Sequence, residues 1–169
     1  MNLSERIASF EFLGNLLRMY HEQSEEPALR LLQDVARHAF FQNPWFTPMQ
    51  IRTALNNLGR ALTHENLERW ISPYQLPATK PAIQRTIGVV MAGNIPAVGF
   101  HDFLCVLISG HRILAKLSAS DDQIIPGMAG VLCEYNPEWR EMIMFTTGKL
   151  ENFEAVIATG STNTSRYFE

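Results

Sequence analysis

Apolar residues recur at three- and four-residue spacing from Ile7 through Phe10, Leu13 and Leu17 to Tyr20. This is one stripe of a 3.6-residue period and predicts a first helix, which Ser4 can cap. A second helix is expected after Pro27, with Leu31, Leu32, Val35, Ala36 and Ala39 inward. The third helix has the best-marked start. Thr47 stands as N-cap, Pro48 at the first helical position and Gln50 as the reciprocal capping-box residue, while Phe46 and Ile51 are spaced for a hydrophobic staple. That local role accounts for the Trp45-Phe46 pair better than a ligand site does. Thr63 caps a fourth, short helix ending near Ile71, so residues 1–71 read as a helical N-terminal segment.

The pattern then changes. "SPYQLPATKP" holds three prolines in ten positions; each ring removes a donor and restrains its predecessor, so residues 72–85 read as a proline-rich linker. From Thr86 the chain alternates strand, loop and helix. Thr86 to Met91 is a short apolar run of the kind buried on both faces of a sheet. A helix from about Pro96 to Ser109 stops at Gly110, and Ile113 to Leu117 forms a second strand. Ser120 or Asp121 caps another helix carrying Ile124, Ile125, Met128, Val131 and Leu132. Met142–Phe145 and Ala155–Ala158 are two more strands. Alternation of this kind predicts an α/β fold, a helical segment followed by a parallel sheet over residues 86–169. The chain closes on "TGSTNTSRYFE", a strand end, a turn and the first turns of a helix. A parallel sheet has both faces covered, so the sequence reads as the N-terminal part of a longer protein.

Composition narrows the partners. A chain of 169 residues, 46% hydrophobic and 18% charged, is that of an ordinary globular protein. Its net charge of −3 comes from interleaved acids and bases, which removes the electrostatic reason to expect nucleic acid or an anionic membrane surface. No secretory signal opens the sequence and no apolar run approaches a membrane span, so a cytoplasmic protein is expected. Cys105 and Cys133 lack CxxC spacing, imply neither a disulfide nor a metal, and read as small core residues. A homo-oligomer is compatible with all of this.

Ligands of parallel sheets gather outside the carboxyl ends of the strands. Three small polar stretches fall there: Ala92-Gly93-Asn94, Lys116-Leu117-Ser118 and Thr159-Gly160-Ser161-Thr162. Singly each has a plain explanation: Asn94 satisfying helix-start donors, Lys116 a solvated strand end, Gly160-Ser161 a turn and cap. Together they offer an amide, a cation and a helix N-terminus suited to a phosphate, which points to a dinucleotide. His101 and Asp102 invite reading as a base and its orienter. Adjacent helical residues do not face one another, so a polar first turn is the better account.

"VVMAGNIPAVGFHDFLCVLISGHRILAKLSASD" resembles the acyl-CoA reductase family related to the fatty-acid reductase of bacterial luminescence, a branch of the aldehyde dehydrogenase superfamily. The resemblance covers roughly residues 43–169, is strongest from Gly88 to Asp121, and resumes at "AVIATGSTNTSRYFE". It implies a Rossmann-like sheet and reduction of an acyl thioester, on CoA or a carrier protein, to an aldehyde. It places the oxyanion-hole asparagine on Asn94, the ribose-contacting lysine on Lys116 with Ser118 beside it, and the pyrophosphate-binding residues on Thr159, Gly160 and Ser161.

Two positions depart from the family pattern. Ala119 stands where many NAD-preferring relatives carry a glutamate, which leaves room for a 2′-phosphate and favours NADPH, with NADH the alternative. Ser165 replaces the second glycine of the turn-helix motif. The family's nucleophilic cysteine lies downstream of the TGS turn, and neither Cys105 nor Cys133 matches it, so this chain alone is expected to be inactive. Two other classes compete: a non-catalytic nucleotide- or acyl-binding module, and an interaction protein working through its helical segment. An exposed apolar patch on residues 1–71 is the mark of the last.

Overall fold

The computed structural model describes residues 1–159. Four helices come first: α1 (Leu3–Met19), α2 (Arg30–Gln42), α3 (Pro48–Ala61) and α4 (His64–Ile71). Then follow β1 (Thr86–Val90), α5 (Phe100–Ile108), β2 (Arg112–Lys116), α6 (Ile124–Tyr135), β3 (Ile143–Thr146) and β4 (Ala155–Ala158). The architecture is mixed α/β with a four-stranded sheet in the order β3-β2-β1-β4, all pairs parallel.

The capping box of α3 forms as the sequence predicts, Thr47 accepting from the Gln50 N–H and Gln50 from the Thr47 N–H. Phe46 and Ile51 are both buried beside it. Thr47→Ala is therefore expected to lower stability by about 1 kcal/mol in urea unfolding. Trp45 departs from that account, standing 85% exposed. At α1 the cap is Asn2 rather than Ser4. The Asn2 carboxamide accepts from the Glu5 N–H at 2.9 Å and Glu5 returns the bond at 2.7 Å.

One face of the sheet presents Val89, Ile113 and Ala115, all buried, to the helices. There α5 packs on β1 and β2, and its Phe103 stacks on Phe145 of β3. The N-terminal helices lie outside this layer, α1 against α5 and α6, and α2 against α6. Phe10 of α1 meets Phe100 and the buried Trp139 edge-on. Fully buried Arg6 reaches across, its Nε donating to the Ile108 carbonyl at the C-terminus of α5 at 3.0 Å. A cation there complements the helix dipole. The same end is closed by Gly110 at φ +87°, with the Gly110 and His111 N–H groups donating to the Leu107 and Val106 carbonyls, a Schellman arrangement that needs the left-handed residue. The opposite sheet face is half open: Phe153 lies over Gly88, while Met144 and Val156 are 41% and 40% exposed.

Two helix starts differ from expectation. Pro96 does not begin α5, because the chain turns first, with Ala97 at φ +59°, and the helix starts at Phe100. The start of α6 at Ile124 differs only in part: Gln123 at the cap position makes no side-chain bond, while the Asp121 carboxylate faces the Ile124 N–H and also accepts from Ala97 on the preceding crossover.

Candidate functional site

The strand order reverses between β1 and β4, the kind of switch point at which open α/β sheets hold ligands. The register sets Thr146, Lys116, Val90 and Ala158 side by side along the carboxyl edge. Lys116 stands at this edge, and the segments that leave it carry Asn94, Ser118 and Thr159.

Asn94 lies just beyond β1. It is exposed and makes no hydrogen bond to another described residue, so it does not serve the helix-start role that competed with chemistry. The loop around it is locked from behind. Ala97, in its left-handed conformation, donates its N–H to Asp121 Oδ2 at 2.7 Å. Asp121 is 5% exposed, and its Oδ1 has no partner among the described residues. Burial pushes this carboxyl up to about 6, against the lowering effects of the Ala97 and Ile124 N–H groups. Gly93 completes the lock: a Cβ there would fall 2.3 Å from Ser118 Oγ and 2.5 Å from Ser118 Cβ.

Lys116 ends β2, half-buried, with no ion pair to a described residue. Ser118 is spent on structure, since its Oγ accepts from the Ser120 N–H at 3.2 Å while its side chain abuts Gly93. The loop that carries Ala119 is held by α2 and the residue after it. Gln42 donates to the Ala119 carbonyl at 3.1 Å and Asn43 to that of Ser120 at 3.2 Å. These contacts join positions 77 residues apart, and nothing in the local pattern announces them.

Thr159 follows β4, and its hydroxyl donates to Asp102 Oδ2 at 2.7 Å. Asp102 stands in the first turn of α5, as the polar-first-turn reading expects, and its bond to Thr159 also ties the end of β4 to the start of α5 across the switch point. His101 points elsewhere, toward Trp70 and Cys105. Gly160, Ser161 and Ser165 lie outside the described residues. The cysteines are half-buried rather than core. Away from the sheet edge, Phe41, Trp45 and Met49 are 80%, 85% and 65% exposed. Among the described residues no helix is long and apolar enough to cross a membrane. No family model, curated protein or solved structure matches the chain.

Proposed function

We propose that this chain is the nucleotide-binding portion of an NAD(P)H-dependent acyl-CoA reductase of the aldehyde dehydrogenase superfamily, with a Rossmann-like sheet and NADPH as the preferred cofactor. The observation that carries the nucleotide half is the switch point, where the Asn94 loop, Lys116 and the Asp102-bound Thr159 share one carboxyl edge. The acyl-thioester half rests on the resemblance of residues 88–121. A cation, an exposed carboxamide and a hydroxyl at one sheet edge suit an anionic dinucleotide.

In this reading Lys116 meets the adenosine ribose, and the absence of an acid at Ala119 spares a 2′-phosphate from repulsion. Gly160 and Ser161 receive the pyrophosphate, while Asp102 fixes Thr159 beside them. Bound NADPH supplies a hydride. Asn94, held by the Gly93 and Asp121 contacts, donates to the thioester carbonyl as negative charge develops on it, an effect typically worth about 3 kcal/mol for one preorganised donor. Neither Cys105 nor Cys133 takes the part of the attacking cysteine in this reading.

Fluorescence titration of NADPH and NADH against the full chain and Lys116→Ala tests the assignment. The substitution is expected to weaken NADPH at least tenfold, roughly 1.4 kcal/mol, and NADH less. Equal affinity of both cofactors for both proteins overturns the role of Lys116.

A further inference from the structure

A cavity of about 320 Å³ opens where the end of α1, the turn after it, α2 and the start of α3 meet. Tyr20, Glu22 and Arg37 supply its polar groups, and Phe40, Phe41 and Pro48 its apolar wall. The two phenyl rings stand 6.2 Å apart, tilted by 44°. Ligand pockets run from roughly 300 Å³ upward, so the space suits a small molecule. Its frame is fixed by backbone bonds. Tyr20 closes α1, its N–H donating to the Leu17 carbonyl at 3.3 Å and its carbonyl accepting from Asn56 Nδ2 at 3.2 Å. Gln33 of α2 donates to the His21 and Ser24 carbonyls at 3.1 Å and 2.7 Å, which holds the turn between the helices.

One polar group in this frame is left over. Tyr20 is 3% exposed, yet its hydroxyl makes no hydrogen bond to a described residue, whereas a buried tyrosine ordinarily finds a partner for its O–H. Burial and then the Glu22 carboxylate push the phenol up to about 12, against Arg52 and Arg37. Two of those three charges line the cavity, which sets the hydroxyl at its polar end, and the group stays an O–H donor at neutral pH. The fixed charges around it cancel. Glu22 Oε2 accepts from Arg52 Nη1 at 3.0 Å, and Arg37 pairs with Asp34. A charged ligand would give up its hydration with no unpaired counter-ion to meet. A neutral ligand with one acceptor completes the Tyr20 bond, and the phenyl walls favour a flat ring beside them.

We infer that this cavity binds an uncharged aromatic molecule carrying one hydrogen-bond acceptor, an aryl ketone or aryl amide, whose acceptor takes the Tyr20 O–H while its ring lies against Phe40 and Phe41. The site shares no residue with the sheet edge assigned to the dinucleotide, so it stands independently of the proposed function. Tyr20 enters the apolar stripe of α1 as one more inward residue, and only its unpaired hydroxyl separates it from the leucines before it.

Titration of the isotope-labelled full chain with acetophenone, followed by amide NMR, tests this. Saturable shifts at residues 20–22 and 33–41 are expected, with a Kd of about 1 mM, modest as suits so small a ligand. α-Methylstyrene has the same shape with a methylene in place of the carbonyl oxygen. It should bind roughly fivefold more weakly, as the loss of one neutral hydrogen bond gives, a comparison that requires no variant to fold. Tyr20→Phe removes only the hydroxyl, and the two ligands should then bind alike. Benzoate, with a charged head, should bind at least about tenfold more weakly than acetophenone. An absence of saturable shifts with acetophenone, shifts confined to another surface, equal affinity of the two isosteres for the parent, a Tyr20→Phe protein that still tells them apart, or benzoate binding as tightly as acetophenone overturns the inference.

Discussion

Gly93→Val is expected to reduce NADPH affinity about a hundredfold, the scale of effect that follows when a binding group is misplaced by an ångström, and to lower stability by about 2 kcal/mol. A side chain at position 93 has nowhere to go. Its Cβ would meet the Cβ of Ser118 at 2.5 Å, an atom fixed to the backbone that no rotamer change removes, and would come within 3.3 Å of the Asp121 nitrogen. The loops after β1 and β2 must then separate. Asn94, the next residue, moves with the first of them, and the hydrogen bond from Ala97 to Asp121 stretches. Because the clash is pairwise, Ser118→Gly in the same chain should restore part of both losses. Urea unfolding and NADPH titration of the four proteins form a double-mutant cycle, in which residues in contact couple by more than about 0.5 kcal/mol. NADPH affinity of the parent's strength in Gly93→Val would sink the interlocked-loop account.

That interlock marks where the sequence ceased to be legible. Capping grammar was readable wherever a side chain bonded its own helix, as Thr47 and Thr63 do. It failed where the same residue types served a neighbour. Asp121 faces the Ile124 N–H at the start of α6, as an N-cap would, yet it also accepts from Ala97, 24 residues earlier, a bond that no capping pattern records. Pro96 has the look of a first helical residue, but the left-handed Ala97 that follows cannot belong to a helix. At α1 the signal was present in Asn2 and Glu5, a capping box one reads only by preferring Asn2 to the nearer Ser4. Alternating strands and helices announced a parallel sheet, whereas the order β3-β2-β1-β4 depends on where the connection from β3 to β4 crosses, and no periodicity records that. The candidate site divides similarly. Asn94 and Lys116 were legible as polar residues at strand ends, while the bond from Thr159 to Asp102, 57 residues apart, has no local signal.

Between pH 4 and pH 7.5 the stability of Asp121→Asn relative to the parent is expected to rise by roughly 2.4 kcal/mol. Unfolded, the Asp121 carboxyl titrates near 3.8; folded, burial raises it to about 6. A group raised on folding holds its proton more tightly in the native state. Its contribution to stability is therefore complete below about 3.8 and is lost as pH climbs through 6, where the unfolded chain gives up the proton more readily. Asparagine keeps a carbonyl for the Ala97 N–H and carries no charge at any pH in this range, so the difference between the two proteins isolates the one titration. Paired urea unfolding at half-unit pH steps reads it directly, and a difference that stays flat across the range would mean that Asp121 is not buried in solution. The ionised form is the one poised at neutral pH, where it stands buried with Oδ2 on the Ala97 N–H. A protein that retains so unfavourable an acid gains something by it. The charge grips the N–H of a residue strained at φ +59°, and residues held in such conformations cluster where geometry serves function. Here the strained turn is the one that presents Asn94. Asp121→Asn should accordingly be more stable than the parent at pH 7.5 yet bind its ligands through a looser loop, with faster amide exchange at Ala97 and Val98 as the measurable sign.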